Sequence, residues 1–171
     1  MKLKGRTHVF GDDVNTDYII SGKYKFKTLD MNELATHVME DLDPDFYDRI
    51  DEGDLIVAGS NFGCGSSREQ APLAIKHAGI GAVIAKSFAR IFYRNAINVG
   101  LPVIEADTDK LEAGDSLEID LEAGEINNLT RDLSLTVTPL PRVMIKILND
   151  GGLAGHFRKH GGFHVEGSNS G

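Results

Sequence analysis

Cysteine is almost absent: Cys64 is the single one. One thiol cannot form an internal disulfide, which points away from the stapled scaffolds of small secreted proteins. Nor can it hold an iron–sulfur cluster, which is usually bound by several thiolates. Long apolar runs are missing too. No stretch approaches the ~18 residues of a spanning helix, so no membrane segment is expected. The first eight residues carry positive charge with no apolar stretch behind them, and no signal peptide is expected. Positive charge is in the minority, with 18 Lys and Arg against 26 Asp and Glu, a net charge of −8. A nucleic-acid groove needs clustered basic residues to neutralise phosphates, so that class is disfavoured. These absences leave a cytoplasmic protein as the default expectation.

What is present suits one α/β domain. The chain has 171 residues, 41% of them apolar, enough for a sizeable core. Val9-Phe10 reads as the end of a strand, followed by a polar turn and a short strand at 18–20. Residues 21–30 read as a basic loop, 31–40 as a helix with Leu34, Val38 and Met39 on one face, and 45–50 as a short helix. Residues 54–58, 81–85 and 101–104 are short continuous apolar runs, the signature of buried parallel strands. Between them lie two helical stretches. One follows the capping-box pattern Ser66-Ser67-Arg68-Glu69 and stops near Gly79. The other follows Ser87 as its cap and ends at Gly100. Strand–helix–strand–helix–strand predicts a parallel sheet with right-handed crossovers. The texture then changes. Residues 116–121 and 133–138 alternate strictly, which predicts an antiparallel β-hairpin around the turn 122–125. A last helix is expected over 142–148. Residues 1–160 form the expected domain, and 161–171 a Gly/Ser-rich flexible tail.

The segment "NFGCGSSREQAP" (61–72) follows a buried strand and precedes a helix. That arrangement gathers unpaired backbone N–H groups at the positive end of a helix dipole. Gly63 and Gly65 let the backbone turn and approach a ligand. Ser66 and Ser67 add hydroxyls, and Arg68 adds a planar fork suited to a carboxylate or phosphate. The plain alternative is that the serines cap the helix and Arg68 is solvated. The segment matches neither nucleotide-binding glycine pattern.

Four stretches carry a resemblance: "GSNFGCGSSREQAP" (59–72), "IAKSFARIFYRNAINVGLPVIE" (84–105), "FGDDVNTDYII" (10–20) and "LNDGGL" (148–153). Their order and content resemble the small subunits of 3-isopropylmalate dehydratase, the separate swivelling-domain chains of the aconitase superfamily. The resemblance implies a three-layer α/β swivelling domain. It implies a hydro-lyase that shifts a hydroxyl between neighbouring carbons of a malate-type di- or tricarboxylic acid, in leucine biosynthesis. It implies a [4Fe–4S] cluster on a partner large subunit, without which this chain is inactive, and no cofactor or metal on this chain. It gives Ser66 the role of base toward the substrate C–H, Arg68 that of carboxylate binder, and Ser67 and Gly65 hydrogen bonds at the site. Asp17 matches an acidic position near the site, which implies a supporting catalytic role, orienting or pairing with a cationic group; a helix or turn cap is its plain alternative. Glu69-Gln70 stands where relatives often have Glu-His, and Cys64 where relatives vary.

Substrate choice in such chains resembles a lock set by the loop after the first strand. Here that loop reads Tyr24-Lys25-Phe26-Lys27-Thr28, matching neither the apolar nor the arginine-bearing form. Phe26 suits an alkyl group, while Lys25 or Lys27 suits a further carboxylate. Homoaconitate and dimethylmalate-type acids stay open beside 3-isopropylmalate, as does a non-catalytic anion-binding or regulatory module. His156 and His160 stand four apart with no third ligand evident from spacing, so no metal site is read there.

Overall fold

The computed structural model describes residues 1–25 and 30–161, with only the backbone of Lys25. In chain order the elements are β1 Lys2–Val9, α1 Thr16–Ile19, α2 Gly22–Lys25, α3 Met31–Ala35, α4 Phe46–Arg49 and β2 Leu55–Ala58. There follow α5 Gln70–His77, β3 Ala82–Ala85, α6 Arg90–Val99 and β4 Val103–Glu105. A single 3-10 turn, Thr108–Lys110, leads to β5 Ser116–Asp120, β6 Glu125–Asn128, β7 Leu133–Thr136, α7 Arg142–Asn149 and α8 Leu153–His160.

The apolar runs build the centre. Every residue of β2 and β3 is buried, and the two strands pair in parallel with Val57 opposite Ile84. β4 adds beyond β3. The described strands form one sheet in the order β4-β3-β2-β1-β5-β6-β7. β1 is the pivot. Its last three residues pair in parallel with β2, and residues 2–6 pair antiparallel with β5. Leu117, Ile119, Ile126 and Leu135 join the same hydrophobic cluster as Ile56, Ile75, Ile84 and Leu101. Each such buried aliphatic contributes roughly 1.5–3 kcal/mol relative to exposure. Among the helices, α5 packs on α1, α3 and α6, and α6 on α7 and α8. This is the expected α/β swivelling architecture of sheet and flanking helices.

Several local expectations are corrected. Residues 18–20 are not a strand: Asn15 Oδ1 accepts from Tyr18 N–H at 3.0 Å and starts the helical turn α1. The helix expected over 31–40 stops at Ala35, and turns follow. Met39 takes a left-handed φ of 58°, and its N–H donates to the Ile19 carbonyl at 2.9 Å. Neither predicted serine cap forms. α5 starts at Gln70 with no side-chain cap, and Ser87 Oγ instead accepts from Asn61 N–H at 2.8 Å. The expected hairpin is a three-strand meander, with β6 between β5 and β7. Its two asparagines hid it from the apolar pattern; Asn128 is buried because it donates to Asp115.

Candidate active site

β1, β2 and β3 run side by side in parallel, so the loops after them leave the sheet at the same edge. That edge, at the carboxyl ends of strands, is where α/β sheets place ligands. Here the loops are laced together by main-chain bonds. Gly59 N–H donates to Gly11 O at 3.0 Å, Asp13 N–H to Ser60 O at 2.8 Å, and Gly63 N–H to Val14 O at 2.7 Å. Thr16 N–H donates to Cys64 O at 2.9 Å. The third loop joins through Phe62 N–H to Ser87 O, 3.0 Å, and Ala89 N–H to Phe62 O, 2.9 Å. Two stretches 48 residues apart in sequence are thereby fixed against each other, as in the bond from Ser60 N–H to Asp12 Oδ1 at 2.7 Å. Gly63 has a φ of 83°, and a β-carbon there would overlap the Phe92 ring, so glycine alone fits.

The lacing presents the G-C-G-S-S-R segment to solvent. Gly65, Ser66 and Ser67 are exposed. Ser66 is held through its main chain: the buried Thr16 donates its hydroxyl to Ser66 O at 2.7 Å. Since neither serine caps α5, both hydroxyls are available to a ligand. The N–H groups of residues 66–70 donate to no described residue, which leaves the positive end of α5 open.

Arg68 turns inward, its side chain 16% exposed, while Asp17 is 59% exposed. Arg68 Nη1 stands 2.6 Å from Asp17 Oδ1, but off the N–H direction, so the contact is ionic rather than a well-formed hydrogen bond. The Nε atom, also buried, has no partner among the described residues. The guanidinium therefore keeps donor capacity. Gly22, opening α2, lies over it; a β-carbon there would sit 3.7 Å from Nη1.

A cavity of about 500 Å3 lies beside Ser67 and Arg68, and neither Ser66 nor Asp17 is among its lining residues. Thr16, Gly65, Ser67 and Arg68 form one wall, and Arg90, Arg94 and Asn95 of α6 the other. Arg90 and Arg94 are exposed, as is Ile91 at 54%. Sequence reading missed this second wall, and Thr16 as well. Two arginines four apart on the polar face of an amphipathic helix were the available signal. Lys25 lies at the end of α2 with its side chain undescribed, and Phe26 and Lys27 lie outside the described residues. Cys64 is partly buried in the loop.

Fold and site define a class: an α/β domain whose parallel strand ends carry an open rim of hydroxyls, free N–H groups and a spare guanidinium, suited to an organic acid. Residues 17–108 match the family model of the aconitase C-terminal domain. The chain is 58% identical to 3-isopropylmalate dehydratase small subunit 2 of Archaeoglobus fulgidus, over 96% of this chain and all of that one. It is 55% identical to a methanogen homoaconitase small subunit of Methanothermobacter thermautotrophicus, over 92% and 91%. A crystal structure of a 3-isopropylmalate dehydratase chain from Methanocaldococcus jannaschii superposes with a TM-score of 0.90 at 53% identity, covering 94% and 96%. The chain belongs to the 3-isopropylmalate dehydratase small-subunit family of the aconitase superfamily.

Proposed function

We propose that the chain is the small subunit of a hydro-lyase that interconverts 2- and 3-isopropylmalate in leucine biosynthesis, and that it works only beside a large subunit. The observation that carries this reading is the joining of Ser66, Ser67 and a half-buried Arg68 with spare donors on one open rim. Arg68 takes a substrate carboxylate, in exchange for or beside Asp17. The Ser66 oxygen then takes the proton from the carbon next to that carboxylate. A serine hydroxyl is a weak base in water. The N–H groups at the start of α5 and the Arg68 charge favour negative charge at this point. Charge that builds on the substrate carboxylate as the proton leaves meets Arg68. Hydroxide leaves from the neighbouring carbon, so one water is lost overall. Rehydration with the opposite placement of hydrogen and hydroxyl gives the isomer. Thr16 positions Ser66 through its carbonyl.

Aconitase-superfamily membership suggests an iron–sulfur cluster, whose open iron would act as a Lewis acid on the departing hydroxyl. This chain's residues do not fit such a cluster, because Cys64 is its one cysteine. We assign the cluster to the large subunit. That subunit would also cover the exposed serines, because the hydroxyl can act as a base only where water is excluded.

A second reading, homoaconitase, is favoured by the 55% identity to the methanogen small subunit and by two lysines in the selector loop. A buried charge pair discriminates strongly between acids, an alkyl contact only modestly. The test is to tag the chain in its host, purify it anaerobically, and measure co-purifying mass, iron and turnover of both acids. A larger iron-bearing chain with turnover of 3-isopropylmalate is expected. Preference for homoaconitate would select the second reading. An iron-free single chain that binds acids without turnover would make it a binding module.

A further inference from the structure

The end of α7 and the helix α8 gather three ligand-type side chains away from the proposed active site. Asp150 Oδ2 lies 2.8 Å from His156 Nδ1 and 3.2 Å from His160 Nε2. The three ligand atoms all fall within 4.8 Å of one another. His156 is fully buried, and the Asp150 side chain is 7% exposed. The i,i+4 spacing puts both imidazoles on one face of α8. Asp150 precedes that helix, and Gly151-Gly152, with φ of 81° and 123°, turn the chain so that its carboxylate faces them.

We propose that Asp150, His156 and His160 form a binding site for a divalent transition-metal ion of the zinc class. Two imidazole nitrogens and one carboxylate oxygen are the donor set of borderline ions. Magnesium and calcium prefer all-oxygen sets and are not expected. Lys159 Nζ lies 3.2 Å from Asp150 Oδ1, which leaves Oδ2 as a single ligand atom. The lysine charge opposes a cation, so affinity in the micromolar rather than the nanomolar range is expected. An ion takes the place of the hydrogen bonds between the carboxylate and the rings, and the side chains turn to bring the three atoms, now within 4.8 Å of one another, onto it. Since α8 packs on both α6 and α7, a bound ion ties α8 to the body of the domain.

The test uses the full chain without a histidine tag, stripped with chelator. Titration with Co2+ followed by Zn2+ competition should show one site per chain, visible absorption from bound cobalt, and a higher thermal midpoint with zinc. Asp150→Asn and His160→Gln should each weaken binding about tenfold or more. His77→Gln, at an exposed surface histidine, should leave it unchanged. Paramagnetic shifts from Co2+ in the unaltered chain should fall on the His156 and His160 rings, which decides the matter even if both variants fold poorly. No uptake at millimolar ion, equal affinity in folded Asp150 and His160 variants, or shifts centred on other histidines would overturn the proposal.

Discussion

Among the aspartate–arginine pairs of the described residues, two are built in opposite ways. At the start of the meander the carboxylate is the buried partner, Asp115 at 3% exposed. It is saturated: Glu112 N–H donates at 2.9 Å, Asn128 Nδ2 at 2.8 Å and Arg131 Nε at 3.1 Å, and Arg131 also reaches the Glu112 carboxylate. At the strand ends the arginine is the more buried partner. Asp17 is mostly exposed, the contact is poorly directed, and Arg68 Nε has no partner among the described residues. A saturated buried charge holds structure in place and offers nothing to a ligand. An arginine held by one ill-aligned carboxylate, with donors in reserve, is poised to exchange that partner for another. On the proposed reading of Arg68, the difference separates stabilising electrostatics from binding electrostatics within one domain.

The comparison can be broken by substitution. The largest effect is expected from Ser66→Ala. In the assembled enzyme turnover should fall roughly 10^2–10^4-fold, while denaturant stability of the chain stays within about 0.5 kcal/mol, because the exposed hydroxyl bonds to no described residue. Asp115→Ala should do the reverse. Stability should fall by about 3 kcal/mol, because a buried pair loses one partner, while kcat per folded molecule is kept. Chemical denaturation beside steady-state kinetics checks both.

Arg68→Lys comes next. A lysine keeps the charge but loses the fork, so kcat/KM should drop about a hundredfold with small loss of stability. Near-normal kinetics would remove Arg68 from carboxylate binding. Asp17→Asn is milder, about tenfold in kcat/KM if Asp17 orients the guanidinium; an unchanged value would make it a surface acid.

The smallest effect is in pH. Burial pushes the Asp115 carboxyl up, but the bonds from Glu112 N–H, Asn128 and Arg131 outweigh it, and it lies below the ordinary range. Asp54 behaves alike: burial raises it, while the His8 ring and the Asp51 and Arg6 N–H groups together lower it further. A depressed folded pKa gives stability that is present above the unfolded value of about 3.9 and lost as pH falls through the folded one. Stability should therefore fall off below about pH 4, and Asp115→Ala should flatten that decline. Urea melts across pH check this.

Sequence pattern carried the strands best, since an apolar run such as 55–58 or 82–85 has one use in a small α/β domain. It also placed Ser66, Ser67 and Arg68 in the loop between a buried strand and a helix, where they lie between β2 and α5; their roles are the proposal made above. What it did not carry depends on contacts across the chain. Tyr18-Ile19-Ile20 looks like a strand until Asn15 caps it. Asn128 looks like a loop residue until Asp115 faces it. Ser66 and Ser87 look like caps, yet one is held by Thr16 and the other serves Asn61. The second wall of the cavity and the third member of the Asp150–His156–His160 cluster likewise come from elements that meet only on folding.

The most direct test compares the chain and its Ser66→Ala variant, each combined anaerobically with an iron-loaded large subunit and assayed for isopropylmalate turnover. The chain alone should be inactive, the complex active, and the variant complex assembled and acid-binding but at least about a hundredfold slower. Turnover by the isolated chain, or equal turnover by the variant complex, would contradict the role of this rim as one half of a two-subunit active site.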